Sequence, residues 1–137
     1  MILLLEDNDE RIRRFTDVAA AIAPNLPVRV WRSALAMIAD LPDCLEHASI
    51  ISLDHDLNQP SNETQDPGCG YDVVVLLAEL IPVCPIIVHT SNAERGNWMV
   101  GKLSPTGWQY DRVHPIGDDW IEKDWAVVLR KCLGLIQ

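Results

Sequence analysis

The sequence predicts a doubly wound α/β fold: a five-stranded parallel sheet with helices on both faces. Three observations carry this. Short apolar runs alternate with longer stretches of helical periodicity along all 137 residues. Three of the runs, residues 1–5, 49–53 and 86–88, are dominated by Leu and Ile, as strands covered on both faces must be. Each of the three then switches abruptly to polar residues, into Glu6-Asp7-Asn8-Asp9, Asp54-His55-Asp56-Leu57 and His89-Thr90-Ser91-Asn92. Parallel strands deliver such ends to one edge of one sheet, where open α/β sheets hold their ligands.

Each element has its own signal. Residues 1–5 form the first strand. Ile12, Phe15, Val18, Ala19 and Ile22 recur at helical spacing after Asp9, and Pro24 and Pro27 end this first helix. Val28-Arg29-Val30-Trp31 alternates as the second strand, and Ser33 can cap a second helix with Leu35, Met37, Ile38 and Leu41 on its apolar side. The third strand covers 49–54. The polar stretch 58–70, with Pro60, Pro67, Gly68 and Gly70, reads as a loop that either covers a site or is a tolerated surface insertion. Residues 71–81 form the third helix, and Pro82 and Pro85 bracket the turn into the fourth strand, 86–88. Asn92 caps a fourth helix carrying Trp98, Met99 and Leu103. Arg112-Val113-His114 is a brief fifth strand. Asp119 with Glu122 makes a capping-box start for a last helix through Trp125, Val128, Leu129 and Cys132, closed by Gly134. Right-handed crossovers then favour the flavodoxin-like strand order 2-1-3-4-5.

The length fits one domain over residues 1–137, and 48% apolar with 23% charged residues is the balance of a globular protein. A net charge of −9 excludes broad affinity for nucleic acid, which needs Lys and Arg against the phosphates. Any phosphate ligand therefore needs local compensation, which a divalent cation on clustered carboxylates can supply. Cys44, Cys69, Cys84 and Cys132 are scattered without zinc spacing and read as reduced thiols. The N-terminus has no basic region and no run approaches a membrane span, so a cytoplasmic protein is expected.

In the 2-1-3-4-5 order the first and third strands are neighbours, so Glu6, Asp7 and Asp54 would converge. Packed carboxylates repel and raise one another's pKa, and Mg2+ or Mn2+ resolves this. Glu6, Asp7 and Asp9 also suit the positive end of the first helix. His55 and His89 end neighbouring strands and face either each other or opposite sides of the sheet; paired near a metal, they can act as general acid and base. Taken singly, each also fits a hydrogen-bonded structural role. Thr90, Ser91 and Asn92 can meet an anionic group, or simply cap the fourth helix. His114 ends the fifth strand at the same edge. Trp98, Trp108, Trp120 and Trp125 are not interleaved with basic residues, so they read as packing residues, with Tyr71 the better stacking candidate.

The pattern resembles the receiver domains of two-component response regulators. The acidic pair matches Glu6-Asp7, the phosphoacceptor matches Asp54, and the Ser/Thr after the fourth strand matches Thr90. The resemblance implies a receiver-like fold and a metal held by Asp7, Asp54 and the main-chain carbonyl of Asp56. Where receivers carry Lys-Pro, this chain has His114-Pro115, so their phosphate-contacting lysine is absent. The sequence is more similar still to cyclic-phosphate processing receiver domains, through Ser-Leu-Asp-His-Asp-Leu at 52–57, Gly70-Tyr71-Asp72 and Val88-His89-Thr90-Ser91-Asn92. That likeness implies metal-dependent handling of a cyclic phosphate on a small molecule or RNA end, as in RNA repair or nucleotide signalling. The alternative is an atypical receiver, a phosphate-binding signalling module with Asp54 as phosphoacceptor and a protein partner.

Overall fold

Five short strands, β1 (Ile2–Leu5), β2 (Val28–Trp31), β3 (Ile50–Leu53), β4 (Ile86–Val88) and β5 (Tyr110–Arg112), lie parallel in the order β2-β1-β3-β4-β5. The structure is a computed structural model that describes residues 1–59 and 65–136. Helices α1 (Asp9–Ile22), α2 (Ala34–Cys44), α3 (Gly70–Ala78), α4 (Ala93–Leu103) and α5 (Ala126–Cys132) connect and flank the strands. This is the doubly wound sheet that the buried runs predict.

Alternation along the strands divides the core into two layers. Leu3, Leu5, Ile51, Leu53, Ile86 and Val88 pack with α2, α3 and α4 through Met37, Leu41, Val73, Leu77, Met99 and Leu103. Ile2, Leu4, Ile50 and Ile87 pack on the other face with Phe15 and Ala19 of α1 and with Trp125 and Leu129. Burying one such Leu or Ile side chain contributes about 1.5–3 kcal/mol, so the layers fix strand register strongly.

The expected caps on α2 and α4 form. Ser33 Oγ accepts the N–H of Ala36 at 3.2 Å, and Asn92 Oδ1 accepts that of Arg95 at 3.0 Å. Three expectations need correction. β5 begins at Tyr110 instead of Arg112, because the ladder with Ile86–Val88 uses half-buried edge residues that carry no hydrophobic signal. α3 ends at Ala78, not at 81: the N–H groups of Glu79 and Leu80 turn back to Leu76 and Leu77, leaving Ile81 84% exposed before Pro82. The capping box of Asp119 and Glu122 does not form, because Arg14 takes the Glu122 carboxylate at 2.7 and 2.9 Å. A wide π-type turn, Ile121–Trp125, leads into α5 instead. The middle of the loop expected over 58–70, including Pro60, lies outside the described residues. No helix among the described residues is long and apolar enough to cross a membrane.

Candidate functional site

The sheet register builds the site. Leu5 pairs with Leu53, and Leu53 with Val88, so the residues that follow them, Glu6, Asp54 and His89, form one row just past the carboxyl edge. Lying two residues after Leu4, Ser52 and Ile87, all three turn to the α1/α5 side. They are 0%, 4% and 0% exposed, and one ligand atom from each lies within 4.8 Å of the others.

Their hydrogen bonds are unevenly shared. Glu6 Oε2 accepts the N–H groups of Asp7 at 3.0 Å and Asn8 at 3.2 Å. Glu6 Oε1 sits 3.4 Å from His89 Nε2 and 3.6 Å from Arg11 Nε, yet neither Glu6 Oε1 nor His89 Nε2 has a hydrogen-bond partner. Behind the imidazole, Nδ1 lies 2.8 Å from Ser52 Oγ, which also accepts the Trp125 indole N–H at 3.0 Å. Phe15 and Trp120 flank the ring at centroid distances of 4.9 and 6.2 Å. Arg14 secures this aromatic wall by donating to the Asp118 carbonyl at 2.6 Å and to Glu122, on either side of Trp120.

Burial pushes the Asp54 carboxyl up to about 6; the negative charge of Glu6 adds to the rise, and His89 opposes it. Burial acts on Glu6 in the same sense, but His89, Arg11 and the Asn8 N–H outweigh it and hold that carboxyl below its ordinary value. The pair is thus split into a readily ionised and a reluctant acid, as at sites built for charge or proton handling.

The other candidates fall around this row. Asp7, expected beside Asp54, is half-buried; its carboxylate accepts the Asn58 N–H and its carbonyl the Arg32 guanidinium. Among the described residues, His89 and not Asp7 joins Glu6 and Asp54 in the buried donor group. Thr90 is buried, with Oγ1 accepting the Asn92 N–H at 3.1 Å, whereas Ser91 is exposed. His55, one residue past Asp54, lies on the other side, where its Nδ1 meets Asp56 Oδ1 at 2.7 Å. The hydrogen bond from His55 holds the Asp56 carboxyl below its ordinary value. The two histidines therefore occupy separate surroundings, His89 among Phe15 and Trp120 and His55 in a cleft with Tyr71 and Trp98. His114 is exposed beyond β5, and its carbonyl accepts the Ile116 N–H.

Sequence reasoning missed Ser52, Trp125 and Phe15 as the surroundings of His89. One signal was present: Ser52 is a lone hydroxyl inside an apolar strand. Of the tryptophans read as core or interface packing, Trp108, Trp120 and Trp125 are buried and Trp98 is 45% exposed.

A family model for the cyclic-phosphate processing receiver domain matches residues 1–105. The chain belongs to that family. As a cyclic-phosphate processing receiver domain it shares its fold with response regulators at low identity. The phosphorylated cyanobacterial phytochrome response regulator RcpA is 17% identical with a TM-score of 0.72, covering 99% of this chain and 95% of that one. The Mn2+-bound response regulator Rcp1 is 18% identical with a TM-score of 0.68, covering 99% and 96%. A CheY-like receiver domain protein from Methanospirillum hungatei is 16% identical with a TM-score of 0.68, covering 97% and 92%. No curated protein matches the sequence.

Proposed function

We propose that this receiver-like domain is a metal-dependent phosphoesterase that opens cyclic phosphates on nucleotides or RNA ends. The observation that carries the reading is the buried row of Glu6, Asp54 and His89, in which Glu6 Oε1 and His89 Nε2 have no hydrogen-bond partners. Buried polar atoms without partners are costly unless something binds to them, and the two carboxylates suit Mg2+ or Mn2+, which leaves the imidazole for proton transfer. Glu6 and Asp54 would hold the ion, with Asp7 and the main-chain carbonyl of Asp56 as outer ligands. When bound, the cation polarises the phosphoryl group and offsets its charge. Two proteins of the same fold, the Mn2+-bound response regulator Rcp1 and the phosphorylated RcpA, take a divalent cation and a phosphoryl group, which supports the reading.

The side chains supply the remaining steps. Thr90, Ser91 and Asn92, at the start of α4, meet phosphate oxygens, with His114 at the outer rim. Hydrolysis joins a water oxygen to phosphorus, breaks one ring P–O bond and leaves a water proton on the departing sugar oxygen. His89, in the row, is the group placed to take and return that proton, and His55 serves from the other side of the strand end. Ser52 orients the first and Asp56 the second.

Release of phosphomonoester from 2′,3′- and 3′,5′-cyclic nucleotides and cyclic-ended RNA, with and without Mn2+ or Mg2+, tests this. Metal-dependent turnover lost in Asp54→Asn and His89→Ala is the expected result; silence across the panel overturns it. The phosphorylated form of RcpA favours a second reading, a signalling module with Asp54 as phosphoacceptor, although His114 replaces the receiver lysine. Acetyl phosphate with Mg2+ would then leave an adduct on the intact protein that is absent in Asp54→Asn.

A further inference from the structure

We propose that the cleft between the first turns of α3 and α4 is a stacking subsite for the base of the nucleotide whose phosphate the acidic row receives. The proposal rests on the phosphoesterase reading for the phosphate but not for the ring. The cleft measures about 670 Å³, within the range of small-ligand sites. The cleft and the row open from the same strand ends on opposite faces, joined through the Asp54–His55 peptide after β3 and the turn from His89 to Asn92 after β4. A ligand with a phosphate at one end and a ring at the other spans the two.

Around His55, Asp56 and Asn92 the cleft's polar groups bond to one another or to the α4 backbone. His55 Nδ1 meets Asp56 Oδ1 at 2.7 Å, Asn92 Nδ2 donates to Asp56 Oδ2 at 3.3 Å, and Asn92 Oδ1 accepts the Arg95 N–H at 3.0 Å. What the cleft offers a ligand is flat surface. The Tyr71 ring lines one side, and on α4 the Arg95 guanidinium lies 3.8 Å from the centroid of the half-exposed Trp98 indole. With one face on the indole, the guanidinium presents a cationic plane to the cleft. Aromatic and guanidinium planes bind any base through its π-face, with little choice among bases, whereas hydrogen-bonding edges would discriminate. The chain's charge of −9 makes this single stacked cation more useful to a phosphate-bearing ligand.

The test is an NMR titration of the 15N-labelled protein, following the Trp98 indole N–H resonance, assigned through Trp98→Phe. AMP, GMP, CMP and UMP should each shift it, with affinities within about ten-fold of one another and about ten-fold or more above ribose 5-phosphate, the scale of one stacked base. Trp98→Ala, followed through the backbone N–H resonances of α4, and Tyr71→Leu should each remove that advantage over ribose 5-phosphate. The proposal is overturned if ribose 5-phosphate binds as tightly as the nucleotides, or if both variants keep wild-type nucleotide affinity. Nucleotides that outbind ribose 5-phosphate in a protein that turns over no cyclic phosphate sustain the subsite and retract the phosphoesterase reading; turnover as fast on a base-free ribose cyclic phosphate as on the cyclic nucleotides does the reverse.

Discussion

The Ser52 hydroxyl lies 2.8 Å from Nδ1 of His89, and both side chains are completely buried. The Trp125 indole donates into the same oxygen, so a serine hydrogen turned to Nδ1 gives all three groups a partner. In that arrangement Nδ1 accepts and the ring proton is carried on Nε2, facing Glu6. Removing the hydroxyl in Ser52→Ala should cost about 1–3 kcal/mol, the penalty of an unsatisfied buried group, and release the tautomer. Imidazole 15N shifts read the tautomer directly. An unchanged Nε2–H ring in the variant would refute the role of Ser52.

A divalent cation held by the row should stabilise the fold. At a hundred times its dissociation constant, a ligand bound only to the native state adds about 2.7 kcal/mol. Mn2+ should therefore raise Tm, EDTA should reverse the rise, and Glu6→Gln and Asp54→Asn should lose most of it. Asp9→Asn is the control, since Asp9 is exposed and paired with Arg32. Equal stabilisation of all four proteins would place the ion elsewhere.

The raised Asp54 carboxyl gives metal-free stability a pH signature. Burial takes it from an ordinary 3.8 to about 6, so the folded state holds this proton more tightly than the unfolded chain. Its contribution is complete below the unfolded value and is lost as pH rises through about 6, on the order of 3 kcal/mol in all. In EDTA, Asp54→Asn should match wild type near pH 4 and exceed it near pH 8. Urea denaturation at the two pH values decides, and a variant weaker than wild type at pH 8 would contradict the sign.

Two glycines should respond oppositely to alanine. A Cβ on Gly70 would overlap the Asp54 carbonyl oxygen, and the Gly70 N–H is bonded to the His55 carbonyl at 3.0 Å. Gly70→Ala must displace the Asp54–His55 backbone and should cost about 2 kcal/mol or more, with loss of cation binding. A Cβ on Gly96 would fall against the Arg112 guanidinium, the far end of a long side chain held by one hydrogen bond, from Nη1 to Asn97 Oδ1 at 3.2 Å, with Nε and Nη2 lacking partners. Gly96→Ala should be neutral or stabilising by up to about 1 kcal/mol, the helix preference of Ala over Gly. Thermal melts of the two variants compare the sites.

The topology was legible because fully covered parallel strands leave continuous apolar runs, and Ser33 and Asn92 were legible as caps because only such side chains accept the first free N–H groups. β5 was not, since Tyr110-Asp111-Arg112 pairs at an edge without burying an apolar face. Nor was the start of the last helix, whose Glu122 answers to Arg14, far away in sequence. The acids of the site announced themselves at strand ends. Which residue at each end turns inward depends on register between strands, which one chain read alone does not display; hence Asp7 and His89 were both expected near Asp54 without a ranking, and the facing of His55 stayed open.

Glu6, Asp54 and His89 owe their meeting to hydrogen-bonded strands and not to loops. Inserting or deleting one residue in β1, β3 or β4 would swing that side chain through the sheet to the opposite layer. The row can therefore be inherited whole or lost, whereas Tyr71, Arg95 and Trp98 stand on helices and can change one at a time. A lineage built on this scaffold is free to drift in the lining of the cleft while the acidic row stays fixed.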